Sequence, residues 1–223
     1  VLRQMTASLH HRGPDGTDIW YDRQTQIGLG HTRLAIQDLS PAGSQPMHSP
    51  SGRFVLTYNG EIYNFPELRT ELEHAGLNFL GHSDTEVLLA AIETWGGRTT
   101  LHRINGMFAF GVWDTVQRTL TLARDRVGKK PLYYGWAGQA FLFASELKAF
   151  HHHSDFDTEL DSGAIAQFIQ YSWIPAPLSI YRAIRKLPPG CVLSLTPETP
   201  PWTMEPCPYW DAPHIALEAE RKG

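Results

Sequence analysis

Apolar residues recur every three or four positions in four stretches of the chain, which is the spacing of an amphipathic helix. The first stretch contains Leu2, Met5 and Leu9 and ends at the turn-forming residues 12–16. Three longer helices are predicted over residues 64–76, 83–96 and 161–169. Their expected N-caps are Asn64, Ser83, and Asp161 or Ser162, all of which carry short polar side chains of the kind that cap helices.

Shorter apolar runs between turn-forming residues predict strands. They cover residues 19–21, 28–36, 54–58, 107–113, 119–124, 132–136, 140–144 and 191–195. We expect Asp114-Thr115 and Ala137-Gly138 to join four of these strands into two hairpins. Strands and helices do not alternate along the chain. The order therefore favours an α+β fold, with helices segregated over antiparallel sheets, and disfavours a parallel doubly wound sheet.

Composition narrows the class of protein further. The 223 residues are 42% hydrophobic and carry a net charge of −4, which argues against disorder, nucleic-acid binding and attachment to anionic membranes. No apolar run reaches the ~20 residues that span a bilayer. Two cysteines are too few for a disulfide framework. We therefore expect a cytoplasmic globular protein of one large or two small domains.

The dipeptide Asn59-Gly60 is open to two interpretations. Between apolar runs it is a strong signal for a hairpin turn, and the local pattern favours that interpretation by about two to one. Alternatively, the Asn59 amide and the Gly60 N–H both point into a cleft. Two such donors would stabilise a developing oxyanion, and the loss of one typically raises the barrier by about 3–4 kcal/mol.

Two charged residues have the chemistry to bind a free amino acid. Arg33 lies within the predicted strand 28–36, where a guanidinium is costly unless paired, and its planar fork suits a carboxylate. Asp84 lies in the first turn of the helix predicted after Ser83. A carboxylate there either complements the helix dipole or receives an ammonium group. Together they would hold both ends of a zwitterion, provided that the fold brings them close.

The remaining candidates are weaker. Histidines cluster at residues 10–11 and 151–153 without the spacing of a helical zinc pair, so we expect no metal site. The basic stretch 124–131 is expected to be solvated or to make ionic contacts between domains. Neither Cys191 nor Cys207 lies beside a helix N-terminus or a basic cluster that would activate its thiol.

A set of motifs occurs in order along residues 2–211. They lie at residues 11–16, 31–38, 45–47, 58–64, 83–87, 105–110, 124–134, 144–149, 187–190 and 209–210. Together they resemble the glutaminase domain of asparagine synthetase, a glutamine amidotransferase of the N-terminal-nucleophile (Ntn) hydrolase type. Sugar-phosphate aminotransferases look similar around Arg33 and Asp84. They lack the run at residues 61–64, which favours the asparagine synthetase branch.

The resemblance implies a fold and a role for each matching residue. The fold would be a four-layer sandwich of two antiparallel sheets between helices. Arg33 would bind the α-carboxylate of glutamine, Asp84 its α-ammonium group, and Glu61 would help to hold the amino acid. Asn59 and Gly60 would form the oxyanion hole. The pocket would be lined by Leu34, Ala35, Ile36 and Gln37.

One element of the family pattern is absent. Family members attack glutamine with an N-terminal cysteine, whereas this chain begins at Val1, which has no nucleophilic atom. Because the other implied pocket residues are present, we expect an N-terminally truncated domain that binds glutamine without hydrolysing it. The family's first strand would then be missing, and its absence would leave an exposed sheet edge.

The sequence is expected to comprise two parts. Residues 1–196 would form the glutamine amidotransferase domain, and the proline-rich residues 197–223 would form a linker and the start of a missing synthetase domain. That domain would use ATP and Mg²⁺ to amidate aspartate with the released ammonia, while no cofactor is assigned to these residues. Two alternatives stay open: a domain that only senses glutamine, and an amidotransferase whose partner acts on another acceptor. A homodimer is compatible with the resemblance.

Overall fold

The computed structural model describes residues 1–200, 203–212, 215–217 and 220. Parts of the predicted linker, including the prolines at 201 and 213 and the last three residues, lie outside this range. Within it, no helix has the length and apolar character needed to cross a membrane.

Helices form at every position where helical periodicity predicts one. The α-helices are α1 (Leu2–Ala7), α2 (Phe65–His74), α3 (Asp84–Trp95), α4 (Gly97–Arg103) and α5 (Ser162–Tyr171). Short 3₁₀ helices cover His10–Arg12, Pro41–Gly43 and Leu147–His152. Helix α4 and the 3₁₀ helices are not predicted from the sequence.

The predicted caps are correct at two of three helices. The side chains of Ser83 and Asp161 accept backbone N–H bonds at the starts of α3 and α5. Asn64 precedes α2 but does not cap it. Its side chain instead accepts from Asn105 N (2.8 Å) and donates to Arg103 O (3.0 Å). The Asn64 side chain therefore binds the backbone of residues 103–105 instead of the first turn of α2.

The strands form one large and two small sheets, and every pair is antiparallel. They are β1 (Gly16–Asp22), β2 (Ile27–Arg33), β3 (Met47–His48), β4 (Phe54–Ile62), β5 (Gly106–Asp114), β6 (Thr119–Arg124), β7 (Tyr133–Ala137), β8 (Ala140–Ala144), β9 (Ile184–Lys186), β10 (Cys191–Leu195) and β11 (Cys207–Pro208). The large sheet has the order β11-β10-β6-β5-β4-β3, and the small ones are β1-β2 and β8-β7-β9.

Among the residues that the structure describes, three hydrophobic cores separate four layers. One core lies between α2–α4 and the six-stranded sheet, and includes Leu72 and Leu88. A second joins that sheet to the two small sheets through residues such as Leu29 and Trp113. The third joins the β8-β7-β9 sheet to α1 and the 3₁₀ helix at 147–152. The predicted α+β sandwich of antiparallel sheets between helices is therefore confirmed.

Two strand predictions are wrong in ways that affect the site. The sequence favours a hairpin turn at Asn59-Gly60, but β4 continues through both residues and pairs them with Ala109 and Phe108 of β5. The predicted strand 28–36 ends at Arg33, so residues 34–37 form an irregular segment. Arg33 therefore lies at the end of a strand rather than in its middle.

The basic stretch 124–131 agrees with its prediction only in part. Val127 and Lys129 are exposed, whereas Arg124 is half-buried. Its guanidinium donates to the carbonyl oxygens of Lys130 (2.7 Å), Leu187 (2.6 Å) and Gly128 (2.8 Å). The side chain therefore fixes the point where the backbone leaves the large sheet and returns to it.

Each small sheet has two unpaired edges within the described residues, and one edge of each sheet borders the space between the sheet layers. Strand β2 pairs only with β1, and β8 pairs only with β7. Residues of both strands line the space between the sheet layers. One exposed edge is predicted from the sequence, and the structure contains two that border the same space.

Candidate active site

A cavity of about 1240 Å³ lies between the six-stranded sheet and the small sheets. It is larger than the ~300–1,000 Å³ typical of small-molecule sites. All of the site residues predicted from the sequence line it: Arg33, Leu34, Ala35, Ile36, Gln37, Asn59, Gly60, Glu61 and Asp84. Residues predicted from separate segments of the chain thus border a single space.

Arg33 presents its guanidinium from the end of β2. Its Nη1 donates to Ser40 O (2.9 Å) and its Nη2 donates to Asp38 O, so the loop 38–43 curves around it. Gly43 allows this approach, because a Cβ there would lie 2.5 Å from Nη2. A guanidinium has five N–H donors. Since two are used here, three remain for a ligand.

Asp84 is the first residue of α3 and is buried. One carboxylate oxygen, Oδ2, accepts from Tyr58 Oη (2.7 Å) and from Ile62 N (2.9 Å). Burial raises the pKa of this carboxyl group, and the two hydrogen bonds oppose that rise only in part. An ammonium group placed beside it would offset the cost of burying its charge.

Strand β4 places polar groups along one wall of the cavity. Side chains alternate along a strand, so Thr57, Asn59 and Glu61 face the cavity while Tyr58 and Ile62 pack towards the helices. Gly60 lies close to the neighbouring strand, where a Cβ would be 2.4 Å from the carbonyl oxygen of Met107. This close approach, rather than a turn, explains the glycine.

The backbone N–H of Gly60 is available to a ligand. The backbone groups of Phe108, which faces Gly60 across the pair, bond to Asp125, so Gly60 points away from β5. On that open edge, Tyr58 N donates to Gln45 Oε1 (2.7 Å) and Ile62 N donates to Asp84 Oδ2. The Gly60 N–H lies between these two and has no partner among the described residues.

His31 is a further residue of the cavity wall, and it has no role among those predicted from the sequence. Its Nδ1 lies 3.3 Å from Thr57 Oγ1, which also lies 3.3 Å from Gly30 O. Burial and the nearby charge of Arg33 lower the pKa of the imidazole to about 4. His31 is therefore neutral at pH 7. The signal that could have found it is its position two residues before Arg33 on the same strand face.

Two of the side chains that line the cavity carry unsatisfied donors. The indole N–H groups of Trp113 and Trp136 are buried and have no partner among the described residues. No cysteine lines the cavity within the described part of the chain, since Cys191 is buried elsewhere and Cys207 is exposed. The cavity as described therefore has acceptor and donor groups but no thiol.

The histidine clusters take part in local contacts. His11 Nε2 lies 3.0 Å from Glu146 Oε1, and His151 Nε2 lies 2.9 Å from Tyr181 Oη. Across the residues that the structure describes, no group of three or more His, Cys, Asp or Glu side chains could hold a metal ion.

The comparison with known families decides what kind of domain this is. Residues 1–210 match the family described as "Glutamine amidotransferase domain". The chain belongs to the glutamine amidotransferase family.

The relatives of this amidotransferase domain include proteins named asparagine synthetase. It is 36% identical over 198 residues to asparagine synthetase [glutamine-hydrolyzing] 1 of Bacillus subtilis (strain 168), which covers 89% of the chain and 30% of that protein. It is 34% identical over 214 residues to amidase chry2 of Gibberella zeae, covering 95% of the chain and 31% of that protein. The chain thus spans about a third of these relatives.

A solved structure of the same fold is the glutamine phosphoribosylpyrophosphate amidotransferase of B. subtilis in complex with ADP and GMP. It matches with a TM-score of 0.69 and 23% identity, over 93% of this chain and 46% of that one. The likeness confirms the Ntn-hydrolase fold of the amidotransferase domain.

Proposed function

We propose that this amidotransferase domain is the glutamine-hydrolysing part of a glutamine-dependent asparagine synthetase. The observation that carries the proposal is the convergence of the Arg33 guanidinium, the Asp84 carboxylate and the unpartnered Gly60 N–H on one cavity. These three groups complement the α-carboxylate, the α-ammonium group and the side-chain carbonyl oxygen of glutamine.

In the proposed complex, glutamine is held at its amino-acid end. Arg33 donates its remaining N–H groups to the α-carboxylate, and Asp84 receives the α-ammonium group. Glu61 helps to hold the ammonium end, while residues 34–37 line the wall next to Arg33. Because the guanidinium is already oriented by loop 38–43, little side-chain entropy is lost when the ligand binds.

The reaction that follows is acyl transfer to a thiol. The sulfur attacks the side-chain amide carbon, a C–S bond forms, and the carbonyl oxygen becomes an oxyanion held by Asn59 and the Gly60 N–H. The C–N bond then breaks, and the nitrogen takes a proton to leave as ammonia. Water hydrolyses the thioester through a second oxyanion and releases glutamate.

The thiol must come from outside the described residues that line the cavity. We infer that these 223 residues bind glutamine but do not hydrolyse it, since neither cysteine lies at the site. A further strand from the same protein could add to the unpaired edge of β2 or β8 and bring a cysteine next to Asn59.

The released ammonia would be used by a synthetase domain of the same polypeptide. That domain would bind ATP and Mg²⁺ and activate aspartate, and neither cofactor is assigned to the residues described above. The relatives named asparagine synthetase, which are about three times as long as this chain, support the proposal. The division at residue 196, a homodimer and a cytoplasmic location stay predictions.

The test measures two products of the full-length protein. We expect glutamate from glutamine alone, and asparagine when aspartate, ATP and Mg²⁺ are added. Asn59→Ala should lower kcat for glutamate release by about 100- to 1,000-fold with little change in KM. Asn105→Ala is the matched control, because Asn105 also precedes a glycine in the large sheet but lies outside the cavity. Absence of glutamate release by the wild type would remove the proposal.

A second candidate is an amidotransferase that acts on another acceptor. The match to amidase chry2 over 95% of the chain favours it, because that protein is not named a synthetase of asparagine. Release of glutamate without any formation of asparagine would support this candidate. Tight glutamine binding with no glutamate release would instead support a glutamine-sensing domain.

A further inference from the structure

We propose that Asp38 is a positioning residue that sets the separation of Arg33 and Asp84 and thereby the affinity for the amino-acid end of the substrate. The inference rests on the proposed function, since it concerns the same site. Asp38 lies in the loop that follows residues 34–37, and its side chain is only 8% exposed. It connects the two elements that carry the two charged groups.

Asp38 orients Arg33 through two carbonyl groups. Its own backbone oxygen accepts from Arg33 Nη2, and its Oδ1 accepts from Ser40 N at 2.7 Å. The second contact fixes the turn in which the Ser40 carbonyl oxygen accepts from Arg33 Nη1 at 2.9 Å. A single residue therefore sets both backbone acceptors that aim the guanidinium.

The other carboxylate oxygen of Asp38 reaches the segment that leads into α3. Asp38 Oδ2 accepts from His82 N at 2.8 Å, two residues before Asp84. The same segment is tied to the first turn of α3, because Glu86 accepts from Leu80 N (2.7 Å) and Gly81 N (2.9 Å). The position of Asp84 is thus coupled to that of Asp38 through a short run of fixed backbone.

Glycines at both contacts indicate that the spacing is tight. A Cβ at Gly81 would lie 2.5 Å from Asp38 Oδ2 and 3.0 Å from the Cβ of Ala42. A Cβ at Gly43 would lie 2.5 Å from Arg33 Nη2. Neither glycine has the positive φ that would explain it by backbone conformation. Both are explained by the close approach of loop 38–43 to its neighbours.

Asp38 is held in its ionised form. The His82 N–H, the Ser40 hydroxyl and N–H groups and the charge of Arg33 lower the pKa of its carboxyl group to about 2. The carboxylate accepts N–H bonds at both oxygens. An asparagine at this position would turn a donor towards one of those N–H groups, so the side chain would keep its shape but lose one of the two connections.

Asp114 provides a matched comparison for a role in stability alone. It is 7% exposed, and its Oδ1 accepts from Val116 N (2.9 Å) and Gln117 N (3.0 Å) at a turn, while Arg53 binds its carboxylate. Asp114 does not line the cavity. If Asp38 only anchored a loop, replacement of either aspartate by asparagine would have the same consequences.

The experiment compares Asp38→Asn with Asp114→Asn in the full-length protein, by glutamine kinetics and thermal unfolding. We expect both to lower Tm, but only Asp38→Asn to raise KM for glutamine, by about 10- to 100-fold, with a much smaller change in kcat. In combination with Arg33→Ala, Asp38→Asn should cause little further loss, because its effect acts through Arg33. An unchanged KM in Asp38→Asn would overturn the inference.

A second variant, Gly81→Ala, tests the inference independently in case Asp38→Asn does not fold. The new Cβ of Gly81→Ala would lie 2.5 Å from Asp38 Oδ2 and displace it, so this variant should also raise KM for glutamine. Gly97→Ala is the control and should leave KM unchanged, because no atom lies within 4 Å of the new Cβ. Equal KM values in both glycine variants would also overturn the inference. A wild-type protein that does not bind glutamine would overturn the proposed function, and the inference with it, before any variant is compared.

Discussion

The two faces of the six-stranded sheet use alternate residues of the same strands for opposite purposes. Towards the helices, Leu56 and Ile62 of β4 are completely buried and pack with Leu72 of α2. Towards the small sheets, Thr57 and Asn59 of the same strand border the large cavity. The helix face is filled with apolar side chains, whereas the other face combines an apolar core around Val55 and Trp113 with polar groups at a space that a ligand can enter.

The open face depends on the filled one. The edge of β4 is paired with β3 only at its beginning, and further along its N–H groups bond to the side chains of Gln45 and Asp84. Asp84 is placed there by α3, whose apolar residues belong to the filled core. The packing of α3 against the sheet therefore fixes the position of Asp84. The outer edge of β4 next to the cavity is hydrogen-bonded by side chains instead of by a neighbouring strand.

The largest expected effect is on the cavity side. Arg33→Ala should weaken glutamine binding by about 100- to 1,000-fold, because two charge-assisted hydrogen bonds to the α-carboxylate are lost. Isothermal titration calorimetry on these 223 residues, which are proposed to bind glutamine without hydrolysing it, measures the change in affinity. Arg53→Ala is the control, since Arg53 pairs with Asp114 away from the cavity. Equal affinities for both variants and the wild type would contradict the assignment of Arg33.

The next effect is on the filled face and concerns stability. Leu72→Ala should lower the free energy of unfolding by about 3 kcal/mol, because it leaves a cavity in a fully buried position. Glutamine affinity should stay within about two-fold of wild type. Leu80→Ala, at a side chain that is 93% exposed, should change stability by less than about 0.5 kcal/mol. Urea unfolding followed by circular dichroism separates the two variants.

The pH dependence of glutamine binding tests whether the buried carboxylate of Asp84 takes part in it. Burial raises the pKa of Asp84 above 3.8, and its protonated form cannot pair with an ammonium group. Glutamine affinity should therefore fall on acidification at a higher pH than an ordinary aspartate would give. Asp84→Asn should bind weakly and lose this pH dependence. A wild-type affinity that is constant down to pH 4 would contradict the role of Asp84.

The smallest expected effect is at the outer layer over the cavity. Burial alone would raise the pKa of Glu146, but hydrogen bonds from Arg12, His11 and Lys148 outweigh it and lower the pKa from 4.5 to about 2. The stabilisation is therefore complete above pH 4.5 and is lost as the pH falls through about 2.

Glu146→Gln tests that contribution. The variant should be less stable than wild type by at most about 1 kcal/mol at pH 7, because the ion pair is partly exposed. The difference should shrink as the pH is lowered towards 2. Chemical denaturation at several pH values measures it, and a difference that grows on acidification would show that the sign is wrong.

Several parts of the fold can be predicted from the sequence because local physics determines them. Ser83 and Asp161 cap their helices as short polar side chains should, and the alternation of apolar residues locates the strands. Asn59-Gly60 cannot be predicted in this way. The local signal for a turn is overridden by pairing with β5, where only glycine fits against the Met107 carbonyl.

The residues of the candidate site also differ in whether local sequence patterns indicate them. Arg33 stands out in the sequence because a charge within an apolar run needs a partner, and Asp84 stands out because it follows the cap of a predicted helix. Gln45 and Asp38 do not stand out, since their importance lies in backbone N–H groups 13 and 44 residues away along the chain. Residues that bind the backbone of distant segments are not marked in the sequence by a hydrophobic periodicity or by a local pattern of charges. They become visible only when the fold brings those segments into contact.

The three hydrogen bonds from Arg124 to carbonyl oxygens have a consequence for local unfolding of the molecule. They join residues 128–130 to Leu187, close to the two ends of the segment that contains β7, β8 and β9. They act there together with the backbone bonds from Leu187 N to Leu132 O (2.9 Å) and from Gly190 N to Asp125 O (2.9 Å). Removal of the guanidinium would leave three carbonyl oxygens without this donor and weaken the connection at both ends of the segment. Amide protons throughout the β8-β7-β9 sheet of Arg124→Met would then exchange with solvent as one cooperative unit, while those of β4 and β5 would keep their protection.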